Sequence, residues 1–178
     1  NLFNIYCRSF GIVVSLCGFN PGGFADDNHA SKTFALCLQY DVITRNMTSL
    51  INHVTNWMNS LFLKINPEKT EIILFVPKSS QGAEVIGGSF LPGGCCIRFS
   101  STVKNLGVTL DINLTFDAHI NLIVSHCYKL LRDIGRIRSL LSQKQTESLV
   151  HSVISSRLDY CNSVFYGINK GTLDKLQK

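Results

Sequence analysis

The chain has 178 residues, 45% of them apolar and 16% charged, with a formal net charge of +5. That length suits one ordinary domain or two small subdomains, and about 70% of the unfolded surface should be buried on folding. Disorder, collagen-like repeats and an acidic solvating tail are excluded. The charge is uneven: residues 1–97 carry six basic and six acidic groups, and residues 98–178 carry eleven and six. A neutral part followed by a basic part fits a polyanionic partner for the second, and fits a solvated basic helix face equally well.

The seven cysteines are odd in number and show neither a C-x-x-C pair nor zinc-type Cys/His spacing. They read as buried thiols in a reducing compartment, so an intracellular chain (cytoplasm and nucleus, not secreted) is expected. Phe10–Phe19 is too short for a membrane span and lacks a basic start or a small-residue cleavage site. No membrane partner is expected. A first residue of Asn rather than Met suggests an open upstream end.

In chain order, Gly11–Cys17 is rich in β-formers and predicts a strand ending at the turn cluster Asn20-Pro21-Gly22-Gly23. Phe24-Ala25-Asp26-Asp27-Asn28 then suits a tight hairpin turn. From Asp41 to Leu61, apolar residues recur at steps of three and four (Val42, Ile43, Met47, Leu50, Ile51, Val54, Trp57, Met58, Leu61), which predicts an amphipathic helix of about five turns. Asn66-Pro67-Glu68 breaks it, and Thr70–Val76 reads as a largely buried strand. A glycine-rich loop with a hairpin is expected over 79–94, and strands over Cys95–Ser100 and Val103–Asp111. Thr115 can cap a helix whose apolar stripe is Ile120, Ile123, Val124, Cys127, Leu130, Leu131 and Ile134. Ser142 and Gln145 form a capping box for the next helix, lined by Leu149, Val150, Val153, Ile154 and Leu158. The order predicts an α+β fold, with an antiparallel sheet and one long helix followed by an all-helical end.

Adjacent acids at a turn between apolar strands are the raw material of a two-metal phosphoryl-transfer site, where carboxylates clamp two ions roughly 3.5–4 Å apart. Asp-Asp alone is more often a polar turn. Its flanks are informative. Phe24-Ala25-Asp26-Asp27 is followed by Trp57-Met58 and by Leu63-Lys64-Ile65-Asn66-Pro67-Glu68-Lys69-Thr70-Glu71. Val103-Lys104-Asn105-Leu106-Gly107-Val108-Thr109-Leu110-Asp111 and Ser156-Arg157-Leu158-Asp159-Tyr160-Cys161-Asn162 come next. This ordered set resembles the reverse transcriptase of non-LTR (LINE-type) retrotransposons. The resemblance implies a partial palm over 1–112, carrying the catalytic box and a primer-gripping hairpin, and a helical thumb over 113–178.

It further implies that Asp26 is the main metal ligand with Asp27 beside it, and that Lys69 lies near the leaving pyrophosphate. Lys69 reads equally as a surface charge between Glu68 and Glu71. Leu106 and Gly107 would form the primer grip; a plain strand glycine or bulge is the other reading of Gly107. Lys129, Arg132 and Arg136, spaced by three and four, would track a nucleic-acid backbone together with Lys104. The implied cofactor is Mg²⁺ or Mn²⁺, and the implied partners are an RNA template, a DNA primer, deoxynucleotides and a missing upstream polymerase segment. That segment is expected because the family uses a further metal-binding Asp before the box, and residues 1–25 contain no acid. Two other readings stand beside this one: a non-catalytic nucleic-acid-binding relic, and a structural interaction domain with an accidental Asp-Asp turn. His29, His53, His119, His126 and His151 form no catalytic or metal motif and read as surface or packing residues.

Overall fold

A computed structural model describes residues 2–35, 40–77, 89–90 and 97–177. Helices and small antiparallel sheets are both present, compatible with an α+β fold. The residues fall into two compact units, one of Asn1–Leu74 with Ser79–Ser101 and one of Phe75–Lys78 with Thr102–Lys178. In this division the hairpin over 102–111 groups with the helical end. Among the described residues the strands form three separate two-stranded sheets. Two-stranded sheets are marginal alone, so each depends on what it packs against.

The first unit opens on α1, Leu2–Leu16, where the sequence predicts a strand over Gly11–Cys17. The reason for the difference is its ending. Gly18, at φ 72°, allows Gly18 N–H to donate to the Ser15 carbonyl and Phe19 N–H to the Val14 carbonyl. This is a Schellman stop, with its accompanying apolar contact between Val14 and Phe19. Phe10, Val14 and Cys17 then lie on one helical face in the core, while Ile12 and Leu16 are exposed. Helical periodicity and the glycine stop outweigh the β-propensity of the run.

Asn20–Phe24 forms β1 and Asp27–Ser31 forms β2, so the cluster Asn20–Gly23, expected as a turn, is a strand. The pair is antiparallel, with Asn20 opposite Ser31 and Phe24 opposite Asp27. Gly22 faces His29, whose ring lies where a Cβ on residue 22 would stand, 2.2 Å from Nε2. Ala30 anchors the hairpin in a core of Val14, Phe19 and Leu50.

Helix α2, Tyr40–Ser60, matches the expected amphipathic helix. It has two apolar sides. Leu50 and Val54 join the α1 core, Ile43 and Ile51 join Ile72, Ile97 and Phe99, and Met47 touches both. The expected strand Thr70–Val76 is an extended segment with one bridge, Ile72 to Phe99. Val76 N–H instead reaches the Ile112 carbonyl at 2.9 Å, so no continuous ladder forms along the run. Ser89–Phe90 (β3) pairs antiparallel with Ile97–Arg98 (β4). The loop expected over 79–94 falls mostly outside the described residues, as do Cys95 and Cys96 of the strand expected over Cys95–Ser100.

In the second unit, Thr102–Asn105 (β5) and Val108–Asp111 (β6) make an antiparallel hairpin, so the strand expected over Val103–Asp111 is broken by a turn. Helix α3, Asp117–Ile137, is the hub. Its first half packs Phe116 and Ile120 against Val108 and Phe165. Its second half packs Cys127 and Ile134 against Ile154. Leu131, expected in the stripe, is 44% exposed. The Ser142–Gln145 capping box forms as expected and opens α4, Gln143–Val150. One π-turn, His151–Ser155, connects it to α5, Ser156–Asp159. Helix α6, Lys170–Gln177, docks on α3 through a hydrogen bond from the Thr172 hydroxyl to the Asp117 carboxylate, with Lys175 Nζ donating to Asn121 Oδ1 at 2.9 Å.

Candidate functional site

The two acids singled out by the sequence stand at the tip of the β1–β2 hairpin. Ala25 and Asp26 are the two turn residues, and Asp27 is the first residue of β2. Both carboxylates are exposed, and Phe24 beside them is 70% exposed. The turn is tight enough to force Ala25 to φ 54°, a conformation that disfavours any residue with a Cβ. Asn28 braces it, donating from Nδ2 to the Asp26 carbonyl at 3.2 Å. The sequence thus places the pair at a hairpin turn, and the structure has it there.

No group of three His, Cys, Asp or Glu side chains that could hold a metal ion occurs among the described residues. Two Mg²⁺ ions need a larger set of fixed oxygen ligands than two carboxylates supply. The residues present do not fit a complete two-metal site, and no metal-dependent step is derived from them.

Lys69 lies in a turn built by Asn66. The Asn66 carbonyl accepts from Lys69 N–H at 3.2 Å and from the Thr70 hydroxyl at 2.8 Å, and its Oδ1 accepts from Glu68 N–H at 3.0 Å. Its side chain is exposed, and no hydrogen bond or ion pair among the described residues joins it to Asp26 or Asp27.

Leu106 and Gly107 are the two central residues of the β5–β6 turn, at φ 46° and 84°. Two positive φ values give the type I′ pattern that matches the twist of a hairpin. Glycine is needed at 107 for its φ. A Cβ there would sit 3.6 Å from the Tyr160 ring, so that side of the backbone is covered by the chain itself. The Tyr160 hydroxyl donates to the Leu106 carbonyl at 2.7 Å. A hydrogen bond and charge interaction with the neighbouring Cys161 thiol, and lesser desolvation, hold that hydroxyl above the usual tyrosine range. It is therefore a neutral donor.

Below the turn, Asp111, to which the sequence reading gave no role, and His119, read as a surface or packing residue, fasten the hairpin to α3. The Asp111 carboxylate accepts from Asn113 N–H (3.1 Å), Thr115 N–H (3.0 Å) and Phe116 N–H (2.7 Å), and from the Thr115 hydroxyl (3.1 Å). Partial burial acts to raise its pKa, but the hydrogen bonds from Thr115, Phe116 and Asn113 outweigh it and leave the group below the ordinary carboxylate range. Asp111 organises the entry to α3 together with the expected Thr115, whose hydroxyl accepts from Asp117 N–H at 3.4 Å, while the side chain of the N-cap residue Phe116 makes no cap bond. The signal was present in the sequence, as an acid five residues before the helix N-cap. His119 is 6% exposed and packs its ring 5.5 Å from that of Phe165. Its Nδ1 accepts from Thr109 N–H at 3.2 Å, and its buried Nε2 has no hydrogen-bond partner among the described residues. Burial first, and the charge of Lys104 second, depress its pKa, so it sits in the fold as a neutral ring.

The four basic side chains singled out by the sequence, Lys104, Lys129, Arg132 and Arg136, are all exposed. Lys129, Arg132 and Arg136 share the α3 face opposite the buried Ile120, Cys127 and Ile134. Arg136 pairs with Asp133 at 3.1 Å, whereas Lys129 and Arg132 have no ion-pair partner among the described residues. Lys104 is exposed on β5. Among the described residues, no helix is long and apolar enough to cross a membrane.

One comparison with known proteins bears on these residues. The chain is 29% identical over 105 residues to a Drosophila melanogaster protein named as a probable RNA-directed DNA polymerase from transposon BS. The match covers 59% of this chain and 11% of that protein. No family model matches the chain, and no solved structure does. The similarity supports a reverse-transcriptase relationship.

Proposed function

We propose that this chain is a piece of the RNA-directed DNA polymerase of a LINE-type retrotransposon, comprising late palm and thumb. In the complete enzyme, a DNA 3′ end is extended on an RNA template from deoxynucleotides, with Mg²⁺ or Mn²⁺ held partly by Asp26 and Asp27. The observation that carries the reading is the β1–β2 tip, where a tight turn offers two adjacent carboxylates to solvent in the aromatic-Ala-Asp-Asp setting. The similarity to the transposon polymerase supports it. Exposed Ile12, Leu16 and Phe24 in the same unit give an upstream segment apolar surface to cover.

In this reading Lys69 faces the pyrophosphate side, Leu106 and Gly107 present the β5–β6 turn to the primer, and Lys104, Lys129, Arg132 and Arg136 follow the backbone. The transcript upstream of Asn1 tests it. An open frame encoding a further strand with an Asp is expected, and an untranslatable or unrelated upstream sequence would contradict an active parent enzyme.

A second reading, a nucleic-acid-binding relic without catalysis, is favoured by one observation: among the described residues, two carboxylates stand at the tip with no third metal-binding group, while Lys129 and Arg132 on α3 have no ion-pair partner. Filter binding of an RNA–DNA primer–template across salt concentrations tests the basic face common to both readings. Affinity should fall steeply with salt, and the slope should flatten by about 2 when Arg132 and Arg136 are both replaced by Ala. Binding indifferent to salt and to both substitutions would refute that face as a phosphate tracker.

A further inference from the structure

The second hairpin's turn is held by a residue 54 positions away, and that contact has a use within the function proposed above. A type I′ turn is locally stable, but its rigid-body tilt is free unless something outside the hairpin fixes it. Here the Tyr160 hydroxyl takes the Leu106 carbonyl at 2.7 Å, and the Tyr160 ring lies against Gly107. Tyr160 itself is fixed at the end of α5, where the backbone turns extended (φ −63°, ψ 119°) and Cys161 follows at φ 56°. Cys161 packs onto the core of Val108, Phe116, Ile120 and Phe165. The contact thus ties the turn to the helices through a donor with a rigid ring behind it.

We propose that Tyr160 is a positioning residue: its hydroxyl sets the pose in which the Leu106–Gly107 turn meets a nucleic-acid strand. The inference rests on the primer-side role given to that turn. With its carbonyl engaged by Tyr160, Leu106 keeps its side chain 43% exposed. That side chain remains to meet a strand. Lys104, two residues before Leu106, adds a cation to the same hairpin. Tyr160 acts through the turn, so it has no need to touch the strand.

Tyr160→Phe keeps the ring against Gly107 and removes the hydroxyl alone. Two measurements on the 178-residue chain separate the possible failures. Amide hydrogen exchange at Leu106, Gly107 and Val108 should rise in the variant while exchange in α3 stays unchanged. Affinity for an RNA–DNA primer–template should fall about fivefold, the middle of the range for one hydrogen bond, with the salt slope unchanged because no cation is lost. Unchanged exchange at the turn would overturn the tether. Raised exchange with unchanged affinity would overturn the positioning role and leave the polymerase reading standing. If the unsubstituted chain fails to bind the duplex at low salt, the primer-side role of the turn falls, and this inference with it.

Discussion

The two hairpins that carry candidate residues are built in opposite ways. The β1–β2 hairpin is anchored at its base by Ala30 and leaves its tip, with both acids, to solvent. Its turn stores strain at Ala25. The β5–β6 hairpin is fastened at both ends, by Tyr160 at the turn and by Asp111 and His119 where it meets α3. Under the proposed function, an acidic tip that takes its remaining partners from elsewhere can stay open, whereas a turn that meets a strand at a set angle needs tethers. The same residue type shows the difference: Asp26 and Asp27 organise little of the fold, and Asp111 organises the start of its longest helix in the second unit.

The sharpest way to break this contrast is to hollow out the second unit. Ile120 is fully buried between Val108, Phe116 and Phe165, so Ile120→Ala should cost about 3–4 kcal/mol. Hydrogen exchange should show β5–β6 opening with α3 while β1–β2 protection stays as it was. Simultaneous loss of protection in both hairpins would mean that they do not depend on separate cores.

Asp111→Ala comes next. Removing a carboxylate that accepts four hydrogen bonds should cost about 2–3 kcal/mol in denaturant titration, whereas Asp26→Asn or Asp27→Asn should change stability by less than about 0.5 kcal/mol. The pH dependence has a definite sign. Because the folded pKa of Asp111 lies below its unfolded value, its stabilisation is present above the unfolded carboxylate range and is lost as pH falls through the folded value. Equal sensitivity at Asp26 and Asp111 would erase the distinction between the hairpins.

Ala25→Gly should work in the other direction and raise stability by up to about 1 kcal/mol, since glycine accepts the positive φ that strains alanine. A fall in melting temperature would show that the tip is not strained. The smallest effect concerns His119. Its folded pKa is depressed, so stability should be flat above about pH 6.5 and decline as pH drops below that unfolded value toward the folded one. His119→Gln should flatten this slope. Lys104 is the second cause of that depression, so Lys104→Gln should make the decline smaller and end it at a higher pH.

Much of this arrangement was legible in the sequence, and the exceptions share a cause. Helices α2 and α3 and the Ser142–Gln145 box were readable because periodicity and capping are local. The Asp26–Asp27 turn was readable for the same reason. Helix α1 was missed because β-formers dominate Gly11–Cys17, although Gly18 followed by Phe19 is a helix-stop signal. The extended segment at Thr70–Val76 reads as a strand by composition, but a ladder needs partners that no local pattern specifies. Leu106–Gly107 was placed within a strand because Leu is an unusual occupant of a positive-φ position. The Tyr160 contact spans 54 residues and the His119–Thr109 contact ten, and neither leaves a spacing signature.

The account's central claim is that the acidic hairpin is one part of a polymerase site to which this chain contributes two carboxylates. Primer extension tests it most directly, with purified 178-residue protein, RNA template, DNA primer, four deoxynucleotides and Mg²⁺ or Mn²⁺. Two exposed carboxylates cannot fix both ions, and phosphoryl transfer depends almost wholly on such positioning, so no extension is expected. Extension that vanishes in Asp26→Ala would contradict the claim, because the chain would then complete its own site.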